Sequence, residues 1–400
     1  MRFVSVSVAD APAEELVSHA LRELRARLAG EAPTVVWVFV TPDVPLRRPP
    51  DPAGQRPDVF DLLGAAFREA HVVGCTVSGV IAGRVETERP GAISLLAAVM
   101  PGVSGKPVRM EPRVVAAPTG IAEADVRRAL PDDEPVAMMM LTDPHTCDSE
   151  ALARHLDTIW PHAVKFGGLA SGATGASRNL FMLNGERFTD GMVGIALYGD
   201  LVVETIVAQG CRPMGEPMRV TGLHEHLLAT LDERPALTVL EEMAPRIDKA
   251  LVGRFMRAPM IGVAQDPRRQ SFRQGDFLIR HLMGVDPPRR ALAVGHRLEV
   301  GDVVQFHVRD ADASSDDLHE HLGRYGRPTD AAGALMITCI GRGHKLYGVA
   351  SHDARAVSDA MPGVEVAGFF ANGEIGQVHA RTFLHGYTTV LAVFRPGQWN

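Results

Sequence analysis

Long apolar runs are missing from this sequence, and that gives the first exclusion. No stretch in the 400 residues reaches the length a helix needs to cross a membrane. Cysteine is scarce. Cys75, Cys147, Cys211 and Cys339 stand far apart with no paired spacing. That argues against a structural zinc site and against a disulfide framework, and it fits a reducing cytoplasm. An excess of positive charge is missing too. The net charge is −7 with both signs interspersed, so the basic footprint of a nucleic-acid binder is absent. The basic pairs Arg47-Arg48 and Arg289-Arg290 are short and proline-flanked, and they read as solvated loop.

Several catalytic signatures are also absent. There is no His-Glu-x-x-His and no Gly-x-Ser-x-Gly elbow. His224-Glu225-His226 and His319-Glu320-His321 resemble metal tracts, but residues i and i+2 do not share a helix face. No metal and no cofactor is therefore expected. The first residues, Met1 to Val8, alternate like a strand and do not read as a signal peptide.

What is there is a pattern that occurs three times. A buried strand is followed by a helix, a segment with two glycines five residues apart, and another apolar strand. The first copy runs through Val35–Val40, a helix near Val59–Ala70, Gly74 and Gly79, then Ile93–Val99. The second runs through Val136–Leu141, a helix near Ser149–Trp160, Gly167 and Gly172, then Met192–Tyr198. The third runs through Ala334–Ile340, a helix near Asp353–Met361, Gly368 and Gly373, then Thr389–Phe394. Ser78, Ser171 and Asn372 precede the second glycine. Three copies in one order point to repetition. Glycine permits a sharp turn or a close approach, so these segments read either as bulges and turns or as the lining of a shared pocket. None is a phosphate loop or a dinucleotide fingerprint.

A helix over Ala11–Leu28, with Asp10 as cap and Pro12 in its first turn, precedes the first copy. Leu201–Val207 reads as a hairpin partner of Met192–Tyr198 across Gly199-Asp200. Gln209–Gly215 reads as loop, Met218–Thr221 as strand and Pro235–Leu251 as one helix. The predicted fold is α/β, with two tightly packed domains, 1–220 and 221–400. Repeated strand–helix–strand–strand units surround mixed sheets in both.

The C-terminal half sets charged residues at the ends of apolar strands. Arg309 and Asp310 follow Val303–Val308, Arg342 and Gly343 follow Cys339, Glu374 follows Gly373, and His385 precedes the last strand. Open α/β sheets bind ligands at such strand ends. An arginine among glycine amides suits a carboxylate, and a carboxylate such as Glu374 suits an ammonium. Together they describe an amino-acid-like zwitterion site. Each residue also has a plainer reading. Arg309 and Asp310 read as a local ion pair, Cys339 as a small core residue and His385 as hydrogen-bonded core.

Here the motifs resemble a known family. Val304–Asp310, Asp317-Leu318, Gly333–Leu335, Cys339–Gly343, Gly368–Gly376 and Leu384–Thr388 are similar to the C-terminal FIST domain (F-box and intracellular signal transduction). Gly74–Gly79, Gly167–Ser171, Asp190-Gly191 and Gln209–Gly215 are similar to the N-terminal FIST domain. The resemblance implies sensing: a domain that takes a small ligand, amino acids among the candidates, and passes a signal on. It covers about 35–390 and leaves no residues for an F-box, kinase or cyclase module, so the signal is expected to leave through a partner protein or through oligomerisation.

Three functions follow as expectations. The first is a ligand-binding sensor that is not an enzyme, using Arg309, Asp310, Cys339, Arg342, Gly343, Glu374 and His385. The second is a cysteine-dependent acyl-transfer or hydrolytic enzyme with Cys339 as nucleophile and His385 or His352 as base. The third is an interaction scaffold without a ligand.

Overall fold

The computed structural model describes residues 1–397 except 12, 43, 45–57, 117–119, 174–177 and 327–329. Arg47-Arg48 and Pro12 lie outside the described residues. By internal contacts the chain divides into two compact units. One comprises Met1–Val207, Glu320–Leu384 and Thr388–Asn400, and the other comprises Ala208–His319 and His385–Tyr387. The second unit thus interrupts the first in sequence. Position 220/221 falls inside a strand of the second unit.

The first unit is built from the three copies. Copy one contains β1 (Arg2–Val8), α1 (Ala13–Leu28), β2 (Val35–Val40), α2 (Val59–Ala66), β3 (His71–Thr76), β4 (Val80–Ala82), β5 (Val85–Thr87) and β6 (Ile93–Val99). Copy two contains β7 (Val103–Met110), α3 (Pro112–Val115), α4 (Glu123–Ala129), β8 (Ala137–Thr142), α5 (Ser149–Ile159) and β9 (Val164–Leu169), then β10 (Phe181–Leu183), β11 (Glu186–Phe188) and β12 (Met192–Gly199). Copy three opens with β13 (Leu201–Gln209). The second unit then intervenes with β14 (Cys211–His224), β15 (Leu227–Leu231), β16 (Arg234–Pro235), α6 (Ala236–Met243), α7 (Lys249–Arg257), β17 (Met260–Ala264), β18 (Phe277–Asp286), β19 (Ala291–Val294) and β20 (Val303–Arg309). α8 (Ala311–Tyr325) begins in the second unit and ends in the first, and copy three resumes through β21 (Gly333–Cys339), α9 (His344–Tyr347) and α10 (His352–Ala360). It ends with β22 (Glu365–Ala371), β23 (Glu374–Val378), β24 (Arg381–His385) and β25 (Thr388–Pro396).

Each copy forms the same sheet. Its two central strands are parallel and joined by a helix: β2 with β3, β8 with β9, β21 with β22. The last strand of the copy adds antiparallel to the first of these. The runs Val35–Val40, Ala137–Thr142 and Gly333–Cys339 are buried throughout, as strands covered on both faces must be. The short hairpin that follows each glycine pair leaves its own sheet. β10-β11 joins the sheet of copy one, β23-β24 that of copy two, and β4-β5 that of copy three. The exchange is cyclic, so no copy has a complete sheet alone.

Gly74, Gly167 and Gly368 occupy equivalent places. Each is the fourth residue of its strand and stands beside the fourth residue of the parallel neighbour, Val38, Met140 or Met336. In each case an added Cβ would run into that neighbour's carbonyl oxygen. The segments that follow bond to one another. Gly172 N–H donates to Thr76 O at 3.2 Å, Phe370 N–H to Gly79 O at 3.0 Å and Asn372 N–H to Leu169 O at 3.0 Å. Ser78 N–H donates to Ser171 Oγ at 2.9 Å. One shared core lies beneath, with Trp37 of copy one, Phe166 of copy two and Phe394 of copy three. Ring centroids there are 5.3 Å (Trp37–Phe394) and 5.7 Å (Phe166–Phe394) apart.

In the second unit β14, β20, β17, β18, β19 and β15 follow one another, and β15 pairs back onto β14. Six antiparallel strands close into a barrel, which removes open edges. Phe255 of α7 meets Phe306 of β20 edge-on at 6.0 Å.

Several local expectations change. β13 pairs with β25, not with β12, whose neighbours are β7 and β8. Gln209–Gly215 is mostly strand: β14 runs from Cys211 with an irregularity between Met214 and Met218. The helix expected over Pro235–Leu251 is two. Pro245 cannot extend the helix ladder, and Asp248 caps a new start by accepting from Ala250 N–H and Leu251 N–H.

Candidate functional site

The strand ends of copy three carry chemistry that the other copies lack. In copy one the residue after β2 is Thr41, whose hydroxyl bonds the backbone of Ala92 and is satisfied locally, at 2.8 Å from its N–H. The equivalent residue of copy two, Asp143, closes onto Asn179 at 3.0 Å and onto Thr146 at 2.8 Å. In copy three that place is taken by Cys339. Val80 and Ala92 of copy one become Glu374 and Thr388.

Glu374 is completely buried. Its Oε2 accepts from Thr388 N–H at 3.1 Å and from Thr388 Oγ1 at 2.7 Å. Its Oε1 has no N–H or O–H donor among the described residues. The carboxyl is in hydrogen-bonding contact with the Cys339 thiol. Burial pushes the Glu374 carboxyl up to about 8, against the pull of Thr388, Cys339 and Arg342. At neutral pH it is therefore mostly a neutral acid, and Oε1 is where it can carry a proton to donate. Cys339 is 7% exposed, and Gly341 N–H donates to its Sγ at 3.4 Å.

Arg342 is also completely buried, and its partner is Asp353. Nε donates to Asp353 Oδ2 at 2.6 Å, Nη2 to Oδ1 at 3.3 Å, and Nη2 to Tyr347 Oη at 2.6 Å. Asp353 Oδ2 also accepts from Thr389 Oγ1 at 3.0 Å, and His352 Nδ1 is 3.0 Å from Oδ1. Tyr347 stacks on His352 with ring centroids 3.7 Å apart. Burial opposes both charges. Arg342 nevertheless holds the Asp353 carboxylate well below the usual range, and Asp353 holds the guanidinium charged. The pair forms a fixed floor with its charges mutually satisfied.

A third acid comes from copy one, because its hairpin lies in this sheet. Glu86 Oε1 accepts from Ala354 N–H at 2.8 Å. Burial first, and then the negative charge of Asp353, push its carboxyl to about 7. Gly343 has a φ of 66°, and a side chain there would collide with the Glu88 carboxylate, which accepts from His344 N–H at 2.7 Å.

The sequence candidates thus separate. Cys339, Arg342, Gly343 and Glu374 belong to the first unit, and Arg309, Asp310 and His385 to the second. Asp310 does not pair with Arg309. It takes Arg254 at 2.6 Å and Arg212 at 3.1 Å and caps α8 through Ala313 N–H at 2.9 Å. The Arg309 guanidinium lies 6.0 Å from the Tyr387 ring centroid. His385 is buried. Sequence reasoning missed Asp353, Tyr347, Thr389 and Glu86 as members of the site. Asp353 marked a helix start and nothing more. Glu86 carried no signal, because its partner Ala354 lies 268 positions away. No helix among the described residues is long and apolar enough to cross a membrane, and no group of three or more acidic, His or Cys side chains there is arranged to hold a metal.

Comparison with known proteins places the chain. The FIST N domain matches residues 34–234 and the FIST C domain matches 236–377. An uncharacterized protein of Mycobacterium tuberculosis strain H37Rv is 35% identical over 98% of this chain and 99% of its own. An uncharacterized protein of Mycobacterium bovis is 33% identical over 98% of both. A chorismatase crystal structure covers 98% of each chain at 10% identity with a TM-score of 0.30, a level at which neither fold nor activity transfers. Matched in both halves and along nearly its whole length by these relatives, the chain belongs to the FIST family, whose domains are associated with sensing in signal transduction.

Proposed function

We propose that this protein is a small-ligand-binding sensory protein of signal transduction. Its recognition site is the strand-end group of copy three, formed by Cys339, Glu374 and Thr388 over the Arg342–Asp353 floor. The observation that carries the reading is Glu374 Oε1, a buried polar atom without an N–H or O–H donor. Its neighbours are Thr388, which bonds Oε2, and the Cys339 thiol, a weak donor, so the carboxyl keeps hydrogen-bonding capacity in a place where buried polar groups are nearly always satisfied. A ligand oxygen, as in an amino acid or a small carboxylic acid, fits a neutral carboxyl that can donate to it.

Copies one and two support the reading. They use the same backbone at the same place and close it with local hydrogen bonds, so the open acid of copy three is not demanded by the fold. The signal would leave through a partner protein. The test is a thermal-shift screen against amino acids and small carboxylic acids, followed by calorimetry with each ligand that raises the melting temperature. Glu374→Gln keeps the shape and the neutral charge state, so it should fold and lose at least about tenfold in affinity, or about 1.4 kcal/mol. Unchanged affinity in the folded variant would sink this assignment of the site.

A further inference from the structure

We propose that the β4–β5 hairpin of copy one is a proton-controlled latch on α10 of copy three, held shut by Glu86 as a neutral acid and released when Glu86 ionises. As a control on the strand-end site it rests on the reading above; as a movement of the hairpin it does not.

The latch is a helix cap shared between two copies. Ser351 stands at the N-cap of α10, where a serine hydroxyl ordinarily accepts from its own helix. Here the hydroxyl makes no such bond, and the residue has a φ of 61°, in the left-handed region. Its Oγ accepts instead from Glu86 N–H of β5 at 3.0 Å. Glu86 in turn caps α10, because its Oε1 accepts from Ala354 N–H in the first turn at 2.8 Å. The outer side of β5 has no strand beside it among the described residues, so side-chain bonds hold the hairpin in place of a ladder. Ser358 Oγ adds a bond to Gly83 O at 3.1 Å, and Glu88 accepts from His344 N–H at 2.7 Å. Arg84 and Asp359 add an exposed ion pair.

Glu86 is where a proton changes the balance. It is buried, and its Oε2 has no hydrogen-bond partner among the described residues. The groups facing it are Asp353 and His352 on α10, Tyr347 on α9 and Glu88 beyond β5. The buried cation of this region, Arg342, is bonded to Asp353 and Tyr347. A neutral Glu86 carries its proton on Oε2, whereas an ionised one leaves a buried charge beside the Asp353 carboxylate. Burial first, then Asp353, hold the carboxyl at about 7 against the pull of Ala354 N–H, with Glu88 adding to the rise and His352 opposing it. In the open hairpin the carboxyl meets water and returns to its ordinary 4.5. Opening therefore releases a proton, and rising pH favours it until both states are ionised, above about 7. Release uncaps the first turn of α10, which carries Asp353 and with it the floor of the strand-end group.

The test is amide hydrogen exchange by mass spectrometry on the full-length protein without ligand, at about pH 6 and about pH 8, corrected for the intrinsic pH dependence of exchange. Peptides covering 80–88 and 351–358 report the latch, and β8 reports global unfolding. In the wild type, opening of the latch should increase about tenfold between the two conditions, the factor set by 4.5 and about 7. Its peptides should exchange faster than β8 at the higher pH. Glu86→Gln keeps the acceptor for Ala354 N–H but cannot ionise, so its latch should stay as protected at the higher pH as at the lower one. Unchanged opening in the wild type overturns the proposal. So does a tenfold increase that survives in Glu86→Gln, or equal protection of latch and β8 peptides at both pH values. No ligand is present, so these outcomes are independent of the carboxylic-acid screen, and a failed screen leaves them standing.

Discussion

Gly368 lies directly beside Met336 across a parallel strand pair, so close that a Cβ on Gly368 would occupy the space of the Met336 carbonyl oxygen. Gly167 with Met140 and Gly74 with Val38 repeat the relationship. Backbone cannot yield as a flexible side chain can. Gly74→Ala, Gly167→Ala and Gly368→Ala should each cost about 3 kcal/mol or more, the upper part of the overpacking range. Gly323→Ala, on α8 with nothing within 4 Å of its added Cβ, should instead stabilise by about 0.5–1 kcal/mol. Urea denaturation of the four variants checks both signs. Near-neutral values for the strand glycines would remove the steric account of the repeat.

The Arg342–Asp353 pair should behave as structure. Asp353→Ala leaves a completely buried guanidinium without its carboxylate and should cost about 3–5 kcal/mol. Replacing both, as in Arg342→Met with Asp353→Leu, should cost less than Asp353→Ala alone. A double-mutant cycle by chemical denaturation gives the comparison, and a double variant worse than the single one would contradict it.

The pH dependence has a definite sign for Glu374. Its carboxyl is raised from 4.5 to about 8 in the folded protein. Between those values the native state keeps a proton that the unfolded chain releases, so stability falls as pH rises from about 4.5 to about 8. The steepest slope from one such group is about 1.4 kcal/mol per pH unit. Glu86 adds the same sign up to about 7. Glu374→Gln should flatten the loss between pH 5 and 8, within the window set by those two values. Equilibrium denaturation across that window is the measurement, and an unchanged slope would mean Glu374 is ionised in the native protein.

His307 gives the opposite slope in the second unit. It is completely buried, its Nδ1 is 2.9 Å from Gln305 O, and burial lowers its imidazole from 6.5 to about 4. Below 6.5 the unfolded chain gains a proton that the folded barrel excludes, so His307 favours the fold increasingly from pH 4 to 6.5. Amide hydrogen exchange along β20 should show protection rising over that range in the wild type and a weaker rise in His307→Gln. Equal pH dependence in the two would assign the effect to other groups.

Much of the first unit was legible because its signals are local. Val35–Val40 is apolar throughout and Ala334–Ile340 is broken only by Thr338, the pattern a doubly covered strand produces. The glycine pairs mark the same close approach each time. What the sequence could not carry was partnership across distance. The hairpin after Gly79 reads as a neighbour of its own copy, yet it completes the sheet of copy three and delivers Glu86 to Asp353. Leu201–Val207 likewise had a turn and a ready partner in β12, but β7 occupies that edge, and the strand pairs with β25 instead.

The candidate site divides along the same line. The residue types at the strand ends, Cys339, Arg342 and Glu374, were fixed by the sequence, as were the apolar strands that bury them. Which acid neutralises Arg342 and which is left as a neutral donor was decided only by tertiary structure. Asp353 reaches the guanidinium through a helix start, whereas Glu374 is held by Thr388 beside a thiol and loses its charge to burial. A carboxylate's ionisation depends on the distance and direction of the groups around it, and those are set by chain segments that no local pattern connects.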